Sequence, residues 1–237
     1  MTDRFLRFFP SFPKMVSSKT KGGTIMKRNC LLASLIFLGA FALWTLLLCF
    51  VDVQAVGPNG SSVGFAALNR FLHALTGVHW ILYTVTDWLG LIPLLFIMGF
   101  GLLGLWQWIR RKHLLRVDRS ILVLGIFYLV VIAFYLFFET VVINYRPVLV
   151  NGYLEASYPS STTMLALCVM PTAMLQLRGR IQNPVFNRFV LFVIGIFTAF
   201  MVIGRLLSGV HWLSDIIGGI LLSTGLVMLY HAFAGKK

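Results

Sequence analysis

Acidic residues are scarce in this chain: seven Asp and Glu stand against twenty Lys and Arg in 237 residues, and charged residues of both signs make up only 11%. That scarcity excludes a soluble domain, because the shell around one compact core of this length needs many more charges. It also argues against a multi-metal catalytic centre, which requires a cluster of carboxylates and histidines. Cysteine is equally sparse. Cys30, Cys49 and Cys168 all sit in apolar runs, as small core residues do, which excludes a disulfide framework and a cysteine metal site. Cys30 opens its run instead of following it, so a lipoprotein anchor is excluded as well. No internal repeat or low-complexity tract is present. A net charge of +13 suggests nucleic acid only where the bases form one patch. Here they are spread among the ends of apolar runs, and nucleic acid is excluded as a partner.

What the chain has in abundance is apolar sequence. Hydrophobic residues reach 59% and mean hydropathy is +0.88, the profile of a membrane protein. Six runs are long enough, or nearly so, to cross about 30 Å of hydrocarbon. They cover 30–51, 88–109, 120–143, 162–177, 188–205 and 212–233, the fourth being short and interrupted by Pro171. The first run is too long for the apolar core of a signal peptide, although Val53-Gln54-Ala55 resembles a cleavage site, and it counts as a span. Lys and Arg beside spans are retained in the cytoplasm. Arg4, Arg7, Lys14, Lys19, Lys21, Lys27 and Arg28 precede span one, and Arg110, Arg111, Lys112, Arg116 and Arg119 join spans two and three. Arg178, Arg180 and Arg188 join spans four and five, and Lys236 and Lys237 end the chain. Only an even number of spans with both termini inside collects all of these on one side, leaving Arg70, Arg146 and Arg205 outside.

The expected fold is therefore all-α, a six-span transmembrane helical bundle (30–237) behind a basic cytoplasmic tail (1–29). Residues 1–25 carry no spanning pattern, and Met26-Lys27-Arg28 reads like a translation start; the tail is assigned no function. Between spans one and two, a turn over Gly57 to Ser62 leads into a helix-like stretch from Phe65 to Tyr83. It is expected to lie along the membrane surface, with His73, His79 and Trp80 as interfacial anchors. Gly218, Gly219 and Gly225 in the last span are expected to permit close helix packing.

Polar residues that an apolar protein has no structural need to keep gather at the outer ends of spans three to six: Glu139, Arg146, Ser160, Arg205, His211 and Asp215. His211 and Asp215 are four apart, so the carboxylate can accept a hydrogen bond from one ring nitrogen and leave the other with its lone pair exposed. That arrangement makes a nucleophile. Arg205 lies six residues earlier, and Pro147 biases Arg146 toward an extended conformation. Two guanidinium forks converging outside a membrane suit a phosphate. Pro159-Ser160-Ser161-Thr162 opens span four, where unpaired backbone N–H groups attract anions. Ser160 can serve there as a helix cap or donate its hydroxyl to a phosphate oxygen.

These residues together resemble the type-2 phosphatidic acid phosphatase superfamily of membrane lipid phosphatases. Its three signatures run Lys-x6-Arg-Pro, Pro-Ser-Gly-His and Ser-Arg-x5-His-x3-Asp, and Arg146-Pro147, Pro159-Ser160 and Arg205 with His211 and Asp215 fit them. The resemblance implies a metal-independent hydrolase without a cofactor, acting at the outer membrane face on a lipid phosphate or diphosphate. In that scheme His211 attacks phosphorus to form a phosphohistidine and Asp215 orients it. Arg146, Arg205, Ser160 and Ser161 hold the phosphoryl oxygens.

Three positions depart from the signatures. The leading Lys is Glu139, the closing Gly-His is Ser161-Thr162, and Gly204 replaces Ser. The resemblance makes the missing His the proton donor to the leaving oxygen, and a Thr hydroxyl is too weak an acid for that. A phosphate leaving from a diphosphate needs the proton less than an alkoxide does. The expected substrate class is therefore a lipid diphosphate, such as undecaprenyl diphosphate or another polyprenyl carrier, over phosphatidate. Glu139 beside a dianionic substrate should be protonated, and then a candidate proton donor, or paired with Arg146 or Arg205. The alternative is a catalytically impaired relative that binds lipid phosphate headgroups.

Overall fold

The computed structural model describes residues 22–234. Residues 1–21, most of the expected basic tail, and 235–237 lie outside the described residues. The chain forms helices α1 (Gly22–Phe50), α2 (Ala66–Thr76), α3 (Trp80–Leu89), α4 (Leu91–Arg111), α5 (Arg119–Thr140), α6 (Ser161–Arg178), α7 (Pro184–Leu207) and α8 (Leu213–Ala234). Strand-like pairing among the described residues is confined to isolated bridges, such as Tyr145 with Ala156. An all-helical chain is what hydrocarbon demands, since a helix satisfies every backbone N–H and C=O within its own segment.

Among the described residues, five segments are long and apolar enough to cross a membrane: Ile25–Phe50, Trp80–Arg111, Arg119–Thr140, Pro184–Leu207 and Leu213–Ala234. α6 coincides with the fourth expected run but is more polar than these. Its position explains why. α6 packs against α4, α5, α7 and α8, so its side chains meet protein where those of an outer helix meet lipid. Two of its buried polar groups are satisfied within the bundle: Gln176 Nε2 donates to the Tyr230 hydroxyl of α8 at 2.6 Å, and Thr172 Oγ1 donates to the Cys168 carbonyl of α6 itself at 2.8 Å.

Local chemistry sets several boundaries. α7 begins at Pro184, with the Asn183 side chain accepting from the N–H groups of Val185 and Phe186 at 3.0 and 3.1 Å. The glycines of α8 permit close approach, as expected. A Cβ on Gly225 would stand 2.8 Å from Leu38 of α1, and one on Gly218 would stand 2.4 Å from the Tyr158 ring. Ser34 Oγ uses the first approach to donate to the Gly225 carbonyl at 2.8 Å.

The stretch expected as one surface helix over 65–83 is divided. α2 stops at Gly77, whose φ of +64° suits glycine, and α3 starts at Trp80 and continues past Gly90 into α4 within one candidate span. The break is held from outside, because the His79 N–H donates to the Ser208 carbonyl at 2.9 Å in the α7–α8 turn. α3 thus packs against α7, and this contact builds one wall of the site.

Candidate active site

The α7–α8 turn carries His211, and its shape is over-determined. Gly209 has φ of +68°, and a Cβ there would stand 1.9 Å from the Gly77 carbonyl oxygen, so only glycine fits. His73 Nε2 lies 3.1 Å from the Gly209 carbonyl, and its ring packs on Trp212 with centroids 5.4 Å apart. Trp212 Nε1 donates to the Tyr145 carbonyl at 2.8 Å, tying the turn to the segment that carries Arg146. His73 therefore braces the turn. The interfacial role expected for it from sequence is replaced by this contact, which no local pattern displays. His79 Nε2 lies 2.8 Å from the Thr76 carbonyl at the end of α2.

Asp215 is fully buried, and its Oδ2 accepts from the Trp212 N–H at 2.9 Å. The direct His–Asp hydrogen bond expected from the spacing is absent: His211 Nδ1 and Asp215 Oδ2 are 3.8 Å apart. Ser157 stands between them. Its hydroxyl donates to Asp215 Oδ2 at 2.5 Å and lies 3.0 Å from His211 Nδ1. A hydroxyl has one proton to give, so with that proton committed to Asp215, the serine oxygen accepts from Nδ1–H. This tautomer leaves Nε2 with a free lone pair. Asn144 supports the far side, its Nδ2 donating to Asp215 Oδ1 at 3.3 Å.

His211 Nε2 faces Arg205, whose Nη2 donates to it at 3.4 Å. The imidazole is 3% exposed. Burial first, then the positive charges of Arg146 and Arg205, hold its pKa well below the usual histidine value, which keeps the ring neutral and nucleophilic.

Arg205 is 1% exposed, an isolated placement that needs compensation. α3 supplies it. Arg205 Nη1 donates to Thr86 Oγ1 at 3.4 Å and lies 3.6 Å from Asp87 Oδ1, while the Tyr83 ring lies 4.9 Å from the guanidinium carbon. The Arg146 guanidinium lies 5.9 Å from the same ring, so Tyr83 brings the two cations to one wall. Arg146 Nε is 3.1 Å from Glu155 Oε2, off the N–H direction, an ion pair without a hydrogen bond. Buried donors remain without protein partners: Arg146 Nε and Nη1, Arg205 Nε and the Ser160 hydroxyl. Ser160 occupies the cap position of α6, yet its side chain makes no capping bond, and its N–H donates to the Asp215 carbonyl at 3.1 Å. Of its two sequence-level readings, the capping one is set aside.

The structure thus gathers His211, Asp215 and Arg205, with Arg146 joined to them through Tyr83. Ser161, the first residue of α6, and Glu139 line a side cavity with Ser157 and Tyr158. Glu139 is exposed, and the two arginines pair with Glu155 and Asp87, so the expected Glu139–arginine pair does not form. Thr162 lies beside Gly90 at the end of α3, its Cγ2 3.6 Å from where a Gly90 Cβ would be. Sequence reasoning missed Ser157, Asn144, Tyr83, Thr86 and Asp87. Asp87 had a signal, as an acid within an apolar segment; Tyr83 and Thr86 had none.

A comparison with curated proteins yields no match. Among solved structures, the chain is similar to a transmembrane PAP2 type phosphatidylglycerolphosphate phosphatase from Bacillus subtilis. The TM-score is 0.55 at 19% identity, covering 85% of this chain and 95% of that one, a likeness of fold. Residues 126–237 match the model of the PAP2 superfamily, a segment that runs from within α5 through α8 and holds His211, Ser157, Asp215 and both arginines. Over that segment the chain is similar to the PAP2 superfamily.

Proposed function

We propose that the protein is a metal-independent lipid phosphatase working through a phosphohistidine on His211 Nε2. One observation carries this reading: a buried, neutral imidazole turns Nε2, with only a long contact to Arg205, toward buried N–H and O–H donors of Arg146, Arg205 and Ser160 that lack hydrogen-bond partners. Buried unpaired donors of positive charge are costly unless an anion satisfies them. A phosphoryl group accepts from several donors at once and places phosphorus before the lone pair. The Nε2 lone pair attacks phosphorus, the bond to the leaving oxygen breaks, and Arg146, Arg205 and the Ser160 hydroxyl stabilise the spreading charge. As Nε2 is phosphorylated the ring becomes cationic, and the Ser157–Asp215 relay accepts from Nδ1–H and steadies it.

The arginine and lysine distribution supports six spans, α6 included, with both termini in the cytoplasm and the site on the outer side. Substrate then reaches the site from the outer leaflet. Thr162 in place of an acid favours a lipid diphosphate over phosphatidate, because the departing phosphate is a weak base. The same substitution is what favours the second reading, a headgroup-binding relative that no longer turns over.

One experiment separates these. Purified protein and His211→Ala are compared on phosphatidate and on a prenyl diphosphate, each with and without a chelator. Phosphate release by wild type alone, unchanged by chelator, is the expected result; binding without release by the intact protein would give the headgroup-binding reading instead. Removal of such a nucleophile costs about 10⁴-fold or more.

A further inference from the structure

A phosphohistidine must be opened by water, and the water must lose a proton as its oxygen bonds to phosphorus. His211 is then occupied by the phosphoryl group. Besides His73, whose Nε2 is held by the Gly209 carbonyl and whose ring packs on Trp212, the groups near the site able to take a proton are four carboxylates: Asp87, Glu139, Glu155 and Asp215. Asp215 is fully buried on the Nδ1 side of the ring, and bonds from Ser157, Trp212 and Asn144 occupy it. Glu139 lies on the side cavity and pairs with neither arginine. Glu155 is paired to Arg146 Nε, whereas the guanidinium that touches the nucleophile is that of Arg205.

Asp87 is the carboxylate on that guanidinium. Arg205 Nη2 lies 3.4 Å from His211 Nε2 and Nη1 lies 3.6 Å from Asp87 Oδ1. Nucleophile and carboxylate thus contact the two ends of one planar fork, so a phosphoryl group held by that fork on His211 lies on the same guanidinium as the Asp87 carboxylate. The Asp87 side chain is 56% exposed, so it is not sealed within the bundle. Gly90, one turn further along, abuts Thr162, which places Asp87 beside the position where the chain has no titratable group of its own.

Resting on the phosphohistidine reading, we infer that Asp87 is the general base of its hydrolysis. The carboxylate takes a proton from water, the water oxygen bonds to phosphorus, and the P–Nε2 bond breaks with its electron pair returning to His211. Inorganic phosphate leaves, and Asp87 releases its proton to bulk water. Arg205 between the two anions limits their repulsion. An ionised carboxylate helps this second half-reaction and gives nothing to the first, where a leaving oxygen would want a proton. The assignment therefore fits a diphosphate, whose leaving phosphate needs little acid assistance.

Asp87→Asn tests this in the full-length protein, with prenyl diphosphate radiolabelled in its terminal phosphate and rapid acid-free denaturing quench. The expected result is a burst of protein-bound label approaching one per chain at the wild-type rate, followed by turnover slowed about 10²-fold or more. Asp87→Glu, which keeps the carboxylate, should restore most turnover without the accumulation. Unchanged turnover in Asp87→Asn overturns the inference. So does a burst slowed as much as turnover, since that places Asp87 in holding Arg205 alone. Label absent from wild type and Asp87→Asn alike, or present in His211→Ala, overturns the phosphohistidine reading itself and this inference with it.

Discussion

The segment from α6 to α8 and the short helix α3 contribute to one site by opposite logic. α6–α8 and the loops around them hold groups that are buried, mutually bonded and rigid: His211, Ser157, Asp215, Ser160 and Arg205 are at most 3% exposed. α3 lies before the superfamily match and brings groups that border solvent, with Asp87 half exposed and Tyr83 spanning both arginines. The helices differ in the same sense. Of the most apolar window in each candidate span, 61% is buried in α8 but only 6% in α3–α4. A helix surrounded by protein can hold an ordered polar network such as His211, Ser157 and Asp215; a helix at the rim leaves its polar groups more accessible. The proposed mechanism follows the same division, with binding and bond-making at the centre and the proposed proton exit at the edge.

That division can be broken at its strongest point by Arg205→Lys. Lysine keeps the charge but loses the fork that reaches His211, Thr86 and Asp87 together, and a clamp of this kind is worth about 10²- to 10³-fold in kcat. Steady-state kinetics on a diphosphate lipid should show that loss; a change in KM alone would mean that the arginine only binds. Ser157→Ala attacks the relay within the centre. Losing a group that orients a reacting histidine typically costs about 10- to 100-fold, and Ser157→Thr, retaining a hydroxyl, should recover most of it.

The acid limb of kcat/KM sharpens the same comparison. The buried ring resists protonation, so activity should persist as pH falls through 6.5, the ordinary histidine value, and decline only below it. Linkage has the matching sign. Above that value burial of the neutral ring carries no proton-linked cost; below it the unfolded chain binds a proton that folded His211 refuses, and stability falls as pH falls. An acid limb at or above 6.5 would show that the nucleophile is not shielded. The smallest effect belongs to Thr162→His at the junction of the two regions. It should raise phosphatidate turnover relative to diphosphate turnover, by well under the ~10²-fold of a fully positioned acid, and an unchanged ratio removes the argument for diphosphate preference.

Much of this protein was legible before its fold. The six apolar runs coincide with α1, α4, α5, α6, α7 and α8, and α6 was visible despite its polarity because charge distribution required an even count. The cluster of Arg146, Ser160, Arg205, His211 and Asp215 was readable because buried charges in an apolar chain are conspicuous. Ser157 was not, since one serine in a polar loop of the chain carries no mark of what it bonds 54 and 58 residues later. Nor was the break at Gly77 to His79, which a carbonyl from the α7–α8 turn holds. The contact of His73 was hidden for the same reason: its partner is 136 residues away.

Composition and periodicity determined that this chain forms membrane-spanning helices, because continuous apolar runs of about twenty residues suit a helix whose backbone bonds within its own segment, where a barrel strand would alternate. Spacing within a few residues determined that a histidine and a carboxylate lie one helical turn apart in sequence, near an arginine. Only the tertiary structure decided that a serine joins the histidine to the carboxylate, and that α3 turns inward to meet the arginines. Those contacts depend on distances between segments far apart in the chain, which packing alone sets.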